Sequence, residues 1–228
     1  TLQRLLTLVW EQSGQDMGRY KRGTILRRTA RRMGRLKLSC LSDYLAYMQE
    51  HPQEAEALFQ DLLIGVTGFF RDDGLWRELR ETVIPDLIAG KQDGEAVRAW
   101  VPGCSAGQEA YTLGMLLLEA VEKSGKRLEV QVFGTDIDQD ALARARKGTY
   151  PAEALEQVPQ ELRTAYFRSG NGSYRAGNKL RDAMLFSRHN LVTDPPFTNM
   201  DLISCHNVLI YLESEIQESV VLHFHFAL

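Results

Sequence analysis

The feature that most constrains the fold is a change in the hydrophobic period near residue 90. Before it, apolar residues recur at helical spacing with few β-branched runs, so residues 1–90 are predicted to form a helical domain. After it, short apolar runs of the buried-strand type alternate with amphipathic helices, beginning with 96–101 and 108–123. Such alternation is typical of a parallel sheet covered by helices. The segment 89–95, which contains two glycines and three charges, is the predicted domain boundary.

The second part of the chain, residues 96–228, is predicted to be an α/β domain of the Rossmann-like kind. Its predicted parallel strands are the four short runs 96–101, 128–134, 184–187 and 201–205. The stretch from about 150 to 186 interrupts the alternation of strands and helices. It contains one short helix and a turn at 170–172, flanked by short runs of alternating apolar and polar residues. This stretch is predicted to be a small β subdomain inserted into the sheet domain.

Charge is distributed unevenly along a chain of 228 residues that is 44% hydrophobic, a composition typical of a globular protein and not of a disordered one. The formal net charge of −3 hides nine basic residues between Arg19 and Lys37, with no acidic residue from 17 to 42. The rest of the chain carries 18 basic against 30 acidic residues. This basic segment is predicted to form a helix with Leu26, Ala30 and Met33 on its apolar stripe. The exposed face of the helix is expected to carry its arginines: Arg27, Arg28, Arg31, Arg32 and Arg35.

Cysteine and histidine usage favours a reducing compartment and gives no metal site. The three cysteines are odd in number and far apart, which does not suit a disulfide framework. No histidine has a companion cysteine or carboxylate at ligand spacing, so no metal is expected. With no signal-peptide pattern at the start, and a longest apolar stretch too short to span a bilayer, we expect a cytoplasmic protein without membrane insertion.

The motif that points to chemistry is the turn at 102–109 (PGCSAGQE), between the first strand and the following helix. It matches neither a P-loop nor a dinucleotide fingerprint, and Glu109 in the first helical turn would repel a pyrophosphate. A ligand with a cationic group suits Glu109 better. Asp136 ends the second strand, where an acid can accept ribose hydroxyls. A nucleoside with a cation and no phosphate is S-adenosylmethionine; the alternative is an ordinary turn and helix start.

Four segments together resemble the chemotaxis receptor methyltransferases (CheR-type), and the basic stretch with Tyr20, Lys21 and 27–33 looks most like the versions found beside methylesterase domains in hybrid proteins. The four segments are 63–72 (LIGVTGFFRD), 103–111 (GCSAGQEAY), 134–138 (GTDID) and 201–211 (DLISCHNVLIY). The resemblance implies a helical receptor-recognition domain followed by an S-adenosylmethionine methyltransferase domain. That fold has seven strands and four are predicted here, so we expect the last strands to be missing and a sheet edge to lie exposed beside Asp201.

The resemblance also implies roles for individual residues. Cofactor contacts are expected from residues of the turns and loops around the sheet: Thr67, Arg71, Gly103, Glu109, Asp136, Asn190, Leu191, His206 and Asn207. Arg71 and Tyr211 would flank the reacting centre, and S-adenosylhomocysteine would be the product. The receptor would be held by the inserted β subdomain and by the basic helix at Arg27, Arg28, Arg31 and Arg32. Three positions depart from the usual pattern, with Gly65 for Asn, Gln108 for Glu and His206 for Arg.

The chemistry implied is methylation of glutamate side chains in the cytoplasmic domain of methyl-accepting chemoreceptors, by a protein expected to be monomeric and to bind no nucleic acid. A glutamate substrate has a pKa near 4.3 and is already a carboxylate nucleophile at neutral pH, so no general base is required. The enzyme mainly has to align the reacting groups in a dry site. Arg71 can hold the substrate carboxylate through a forked pair of hydrogen bonds.

Two other functions remain open from the sequence. The tetrapeptide 194–197 (DPPF) matches one by which amine methyltransferases grip a nucleobase or glutamine nitrogen, and an arginine-rich helix suits nucleic acid. In this sequence the tetrapeptide precedes the fourth strand, whereas the nucleic-acid enzymes carry it directly after that strand. The second alternative is a non-catalytic sensor or scaffold that binds the cofactor without turnover.

Overall fold

A computed structural model describes all residues from 1 to 228, and its contacts divide the chain into two compact units. The first unit comprises 1–64 together with 207–219, and the second comprises 65–206 together with 220–228. The division therefore falls earlier than the boundary predicted at 89–95. The reason is that apolar residues between the two positions, including Phe69, Trp76 and Ile88, pack into the core of the second unit.

The first unit is helical, as the sequence predicts. Its helices are α1 (Leu2–Ser13), α2 (Arg22–Arg35), α3 (Leu41–Glu50) and α4 (Gln53–Leu62), with a short 3-10 turn at Met17–Arg19. The buried side of α2 consists of Ile25, Thr29 and Met33. The predicted stripe through Leu26 and Ala30 is thus wrong by one position, since Ala30 is exposed and Leu26 only half-buried.

The segment 207–219 completes the first unit. It contains a 3-10 turn at Leu209–Tyr211, and Leu212 forms an isolated antiparallel bridge with Tyr20. Leu212 is 1% exposed, so this bridge is anchored by a buried apolar side chain.

The second unit contains two sheets, as the periodicity predicts. Its strands in chain order are β1 (Ala96–Pro102), β2 (Glu129–Asp136), β3 (Thr149–Pro151), β4 (Phe167–Gly170), β5 (Ser173–Ala176), β6 (Met184–Arg188) and β7 (Leu202–Ile203). The helices that follow α4 are α5 (Asp73–Glu78), α6 (Ile84–Ala89), α7 (Gln108–Ser124), α8 (Gln139–Lys147), α9 (Gln160–Tyr166), α10 (Asn178–Asp182) and α11 (Ser214–Ala227). A π-helical turn, Leu79–Val83, joins α5 to α6.

The main sheet is parallel, in the order β6-β2-β1-β7, and its strands confirm the four predicted from the sequence. β7 lies at one edge and pairs only with β1, as expected for the strand beside Asp201. The inserted β subdomain is the three-stranded antiparallel sheet β3-β5-β4. Because the main strands are parallel, their carboxyl ends meet at one edge of the sheet.

The core of the second unit is built on α7, which is buried continuously from Ala110 to Leu118. Leu113, Met115 and Leu117 have no exposed surface, and burial of each such side chain contributes about 1.5–3 kcal/mol. Trp100 on β1 is also fully buried, and its Nε1 donates to Thr135 Oγ1 at 2.9 Å. None of the helices is both long enough and apolar enough to cross a membrane.

Candidate cofactor and active site

The turn from β1 into α7 is a sharp reversal built on left-handed backbone. Gly103, Ser105 and Gly107 have φ values of 69°, 49° and 89°. A Cβ on Gly107 would lie 2.8 Å from the Cβ of Ala145, so only glycine fits there without a shift of the neighbouring helix. The Cys104 N–H donates to the Thr135 carbonyl at 2.9 Å and ties the turn to β2. The glycines seen in the sequence therefore shape a tight turn at the carboxyl edge of the sheet.

Asp136 lies next to this turn at the end of β2. Its Oδ2 accepts the Ser105 N–H at 2.8 Å and its Oδ1 accepts the Asp138 N–H at 2.9 Å. Burial raises the pKa of Asp136, while these main-chain donors act in the opposite direction. Main-chain donors of Ser105, Ile137 and Asp138 occupy three of the roughly four acceptor positions, so the carboxylate is held in place and can still accept a ribose hydroxyl.

Glu109, in the first turn of α7, carries a second buried carboxylate. Its side chain is 14% exposed, and its Oε1 accepts a hydrogen bond from the Ser204 hydroxyl at 2.7 Å. Burial raises the pKa of Glu109 to about 7, opposed by the Ser204 hydrogen bond and by the charge of Arg71. A cationic ligand beside this group would favour its ionised form.

His206 contributes to the surroundings of Glu109 from the chain that follows β7. Its Nδ1 lies 3.9 Å from Glu109 Oε1, and its ring centroid lies 5.5 Å from that of Trp76. Burial lowers the pKa of His206, which favours the neutral imidazole. This site therefore has a mostly uncharged ring where the resembling family has an arginine.

The loop 65–72 carries Thr67 and Arg71 beside the same turn. Its buried end is Phe69 and Phe70, and Phe70 has a left-handed φ of 50°. Arg71 is exposed; its Nη1 donates to the Val66 carbonyl at 3.0 Å, and its own carbonyl accepts the Trp76 indole N–H at 2.6 Å. Left-handed backbone at a non-glycine residue costs energy and is concentrated at functional loops. The guanidinium keeps most of its donors free for a ligand.

Gly65 and Gln108, two of the departures from the family pattern, have local consequences. A Cβ on Gly65 would lie 3.1 Å from the Ser105 Oγ, a hydroxyl that donates to the Gly65 carbonyl at 3.4 Å. The Oε1 of Gln108 is buried and has no hydrogen-bond partner within the protein. An unpaired buried acceptor beside Glu109 is a group that a ligand donor can satisfy.

The loop after β6 contains Asn190 and Leu191. The N–H of His189 donates to the Asp136 carbonyl at 3.0 Å, which starts this loop beside Asp136. Asp194 Oδ2 accepts the Asn190 N–H at 2.8 Å, and the ring of Phe197 lies 5.3 Å from that of Trp100. Asp194 and Phe197 of the DPPF tetrapeptide thus stabilise this loop, and the Asp194 carboxylate already accepts a main-chain hydrogen bond.

The structure brings most of the predicted cofactor residues to one unit, around the carboxyl ends of β1, β2, β6 and β7. Asn207 and Tyr211 belong to the first unit, where Asn207 is exposed with a φ of 54° and Tyr211 is half-buried. Ser204 was not singled out from the sequence. Its only signal in the sequence is its position in the predicted strand 201–205, three residues before Asn207, which is itself a predicted cofactor residue.

The basic face of α2 differs from the one predicted. Arg32 donates to both carboxylate oxygens of Glu54, at 2.6 and 2.9 Å, and to Asp61 at 3.1 Å, with its side chain only 15% exposed. Arg35 also pairs with Asp61. The predicted exposure of Arg32 is therefore wrong, because the one-position shift of the buried stripe turns it toward α4. Arg27, Arg28 and Arg31 form no ion pair, with Arg27 and Arg31 exposed.

Both units of the chain are similar to known proteins. The family model described as "CheR methyltransferase, SAM binding domain" matches residues 65–228, and the "CheR methyltransferase, all-alpha domain" matches residues 1–63. A Rhodobacter capsulatus protein, named "Uncharacterized 104.1 kDa protein in hypE 3'region", is 38% identical over 208 residues, 91% of this chain and 22% of that protein. The chain thus spans less than a quarter of this relative.

Two shorter relatives carry functional names. A "Chemotaxis protein methyltransferase" of Listeria monocytogenes is 30% identical over 203 residues, 89% of this chain and 75% of that protein. A "Chemotaxis protein methyltransferase 2" of Vibrio cholerae is 27% identical over 222 residues, 95% of this chain and 76% of that protein. Since the two family models together match almost every residue, the chain belongs to the CheR methyltransferase family, with its S-adenosylmethionine-binding domain at residues 65–228.

Proposed function

We propose that this chain transfers a methyl group from S-adenosylmethionine to glutamate side chains in the cytoplasmic domain of chemoreceptors. The observation that carries the proposal is the pair of buried carboxylates, Asp136 and Glu109, at the carboxyl edge of the sheet, with the exposed guanidinium of Arg71 on the neighbouring loop 65–72. A site built in this way can hold a cationic cofactor on its own carboxylate and a substrate carboxylate on its arginine.

The residues present suit the cofactor. Asp136 offers its remaining acceptor position to a ribose hydroxyl, and Glu109 offers a carboxylate to a cationic group. The buried Oε1 of Gln108 provides a further acceptor without a partner. We propose that Thr67, Gly103, Asn190, Leu191, His206 and Asn207 complete the binding site. The bound cofactor would supply an electrophilic methyl group on a sulfonium.

Arg71 is proposed to orient the substrate. Because a glutamate is ionised at neutral pH, the protein has no proton to remove before transfer, and its contribution is alignment and exclusion of water. A planar guanidinium can bind a carboxylate through two parallel hydrogen bonds, which limits its rotation. Tyr211 is the second proposed catalytic residue, on the basis of its place in the motif at 201–211.

Receptor recognition is proposed for the unpaired arginines of α2, namely Arg27, Arg28 and Arg31, and for the small sheet β3-β5-β4. Arg32 is left out because its charge is already neutralised by Glu54 and Asp61. Charge complementarity of this kind steers and orients an acidic protein partner more than it adds affinity. The two relatives named as chemotaxis protein methyltransferases support a receptor substrate.

The test is transfer of tritiated methyl from S-adenosylmethionine to receptor-containing membranes, followed by mild alkali. Release of the label by alkali is expected, because a carboxyl methyl ester is base-labile and a methylamine is not. Label that resists alkali would overturn the proposal in favour of nitrogen methylation. Cofactor binding without any incorporation by the complete protein would favour the sensor or scaffold alternative.

A further inference from the structure

Ser204 stands out because its buried hydroxyl is directed at the carboxylate of Glu109. The residue is 5% exposed, and its Oγ donates to Glu109 Oε1 at 2.7 Å. Ser204 directly follows the edge strand β7, and its main-chain N–H donates to the Trp100 carbonyl at 2.9 Å, so its backbone is held against the central strand β1. A rigid sheet thus holds a donor against a carboxylate on a different element, α7.

We infer that Ser204 is a positioning residue for the cofactor, whose hydroxyl favours the ionised form of the Glu109 carboxylate and holds it toward the cationic group of the ligand. This inference rests on the proposed role of Glu109 in cofactor binding. It concerns binding only, and it holds whether the methyl acceptor is a receptor glutamate or another group.

The other groups that face Glu109 explain why such a donor matters. The loop 65–72 contributes Arg71, which favours the ionised carboxylate, and Asp72, which opposes it. The chain after β7 contributes Cys205 and His206, and the turn after β1 contributes Cys104; the two thiols are neutral, because burial raises their pKa values. Burial also lowers the pKa of the His206 imidazole, which favours its neutral form.

Glu109 therefore has one opposing and one supporting charge nearby and no cation in direct contact. Burial raises the pKa of Glu109 to about 7, and the Ser204 hydroxyl acts against this effect by donating to the carboxylate. Removal of that hydroxyl would increase the protonated fraction of Glu109 near neutral pH, and a protonated Glu109 cannot pair with a cation. The loss of affinity should consequently depend on pH.

The experiment is calorimetric titration of S-adenosylhomocysteine into the full chain between pH 5.5 and 9, because this product keeps the cationic amino group and is chemically stable. The variants are Ser204→Ala and Ser204→Thr. The matched control is Ser124→Ala, which removes an exposed hydroxyl at the end of α7 that bonds to Val121 of the same helix. Urea unfolding of each variant checks that the fold is retained.

The expected result for Ser204→Ala is about a tenfold loss of affinity at pH 7, from loss of a charge-assisted hydrogen bond, and a smaller loss at pH 9. The acid limb of the binding profile should move to higher pH, and Ser204→Thr should restore it. An unchanged profile in Ser204→Ala, or an equal loss at every pH that threonine does not restore, would overturn the inference. So would a wild-type chain that fails to bind the ligand.

The two proposals fail in different ways. A chain that binds S-adenosylhomocysteine with the expected Ser204 dependence, yet adds no base-labile methyl to receptors, would contradict the proposed function and leave the role of Ser204 standing. A chain that methylates receptor glutamates, but whose affinity for S-adenosylhomocysteine does not depend on Ser204, would support the proposed function and contradict the role of Ser204.

Discussion

The main-chain N–H of Lys21 donates to the carbonyl oxygen of Tyr211 at 2.8 Å, across 190 residues of sequence. Glu213 continues the connection, because its N–H donates to the Arg19 carbonyl at 3.2 Å and its Oε1 accepts the Arg22 N–H at 3.3 Å. The start of the basic helix α2 is thereby bound to the segment that carries the proposed catalytic tyrosine. Both belong to the first compact unit.

Replacement of Glu213 by Ala should loosen this connection. The side chain accepts the N–H of the first residue of α2, and loss of such a cap costs about 1 kcal/mol, which corresponds to a fall in Tm of about 2–4 °C. Methyl transfer to receptors should fall as well, while affinity for S-adenosylhomocysteine should change little, because Asn207 alone of the proposed cofactor residues lies in the same unit as Glu213. The control is Glu218→Ala, an exposed position on α11. Equal Tm values for the two variants would contradict the capping role.

Arg32 should matter for stability and Arg28 should not. Arg32→Ala leaves Glu54, whose side chain is 8% exposed, without its cationic partner and with the Tyr44 hydroxyl as its remaining donor, and an uncompensated buried charge costs about 3–5 kcal/mol. Arg28→Ala removes a side chain without an ion pair and should stay within about 0.5 kcal/mol of the wild type. Urea unfolding measures both, and a similar midpoint in the two variants would show that the Arg32–Glu54 pair contributes little.

Charge reversal on the unpaired arginines should weaken receptor binding alone. Arg27→Glu combined with Arg31→Glu should lower receptor methylation about tenfold at low salt and by less at high salt, because exposed charges are screened. Cofactor affinity should not change. The control is Arg77→Glu, an exposed arginine on α5. If reversal at Arg77 has the same effect, net charge and not the α2 surface is responsible.

Without ligand, the Glu109→Gln variant should be more stable than the wild type at alkaline pH. It should also bind S-adenosylhomocysteine more weakly. Burial raises the folded-state pKa from 4.5 to about 7, so ionisation of this group opposes folding progressively between those pH values and fully above them. The variant should unfold like the wild type near pH 4.5 and gain up to about 3 kcal/mol above pH 7. Urea unfolding at both pH values measures this gain, and a gain independent of pH would contradict it. Affinity for S-adenosylhomocysteine should fall because Gln carries no charge.

Arg71→Ala should reduce turnover far more than stability. The side chain is exposed and makes one hydrogen bond, to the Val66 carbonyl, so its removal should cost about 1 kcal/mol or less. Loss of the guanidinium that is proposed to orient the substrate should lower kcat by about 100-fold, with Arg71→Lys only partly restoring it. Steady-state methylation of a receptor fragment is the measurement. Unchanged turnover in Arg71→Ala would remove this residue from the proposed mechanism.

The sequence alone predicted the features that depend on neighbouring residues. Helical spacing before residue 90 and strand–helix alternation after it gave the fold class, and the four parallel strands are confirmed. The glycines of the turn 102–109 also predicted a tight turn at the carboxyl edge of the sheet, with the acid ending β2 beside it, because their conformational and positional requirements are local. The place of Asp136 at that edge follows from the strand pattern alone.

The tertiary structure decided which side chains meet. Ser204 and Glu109 are 95 positions apart, and Arg32 and Glu54 are 22 apart, so neither pairing is visible in any local pattern. A one-position shift of the buried stripe on α2 was enough to turn Arg32 from the expected surface into an ion pair. Periodicity is a property of single elements, whereas a hydrogen bond of 2.7 Å depends on how two elements are placed by the core that packs between them.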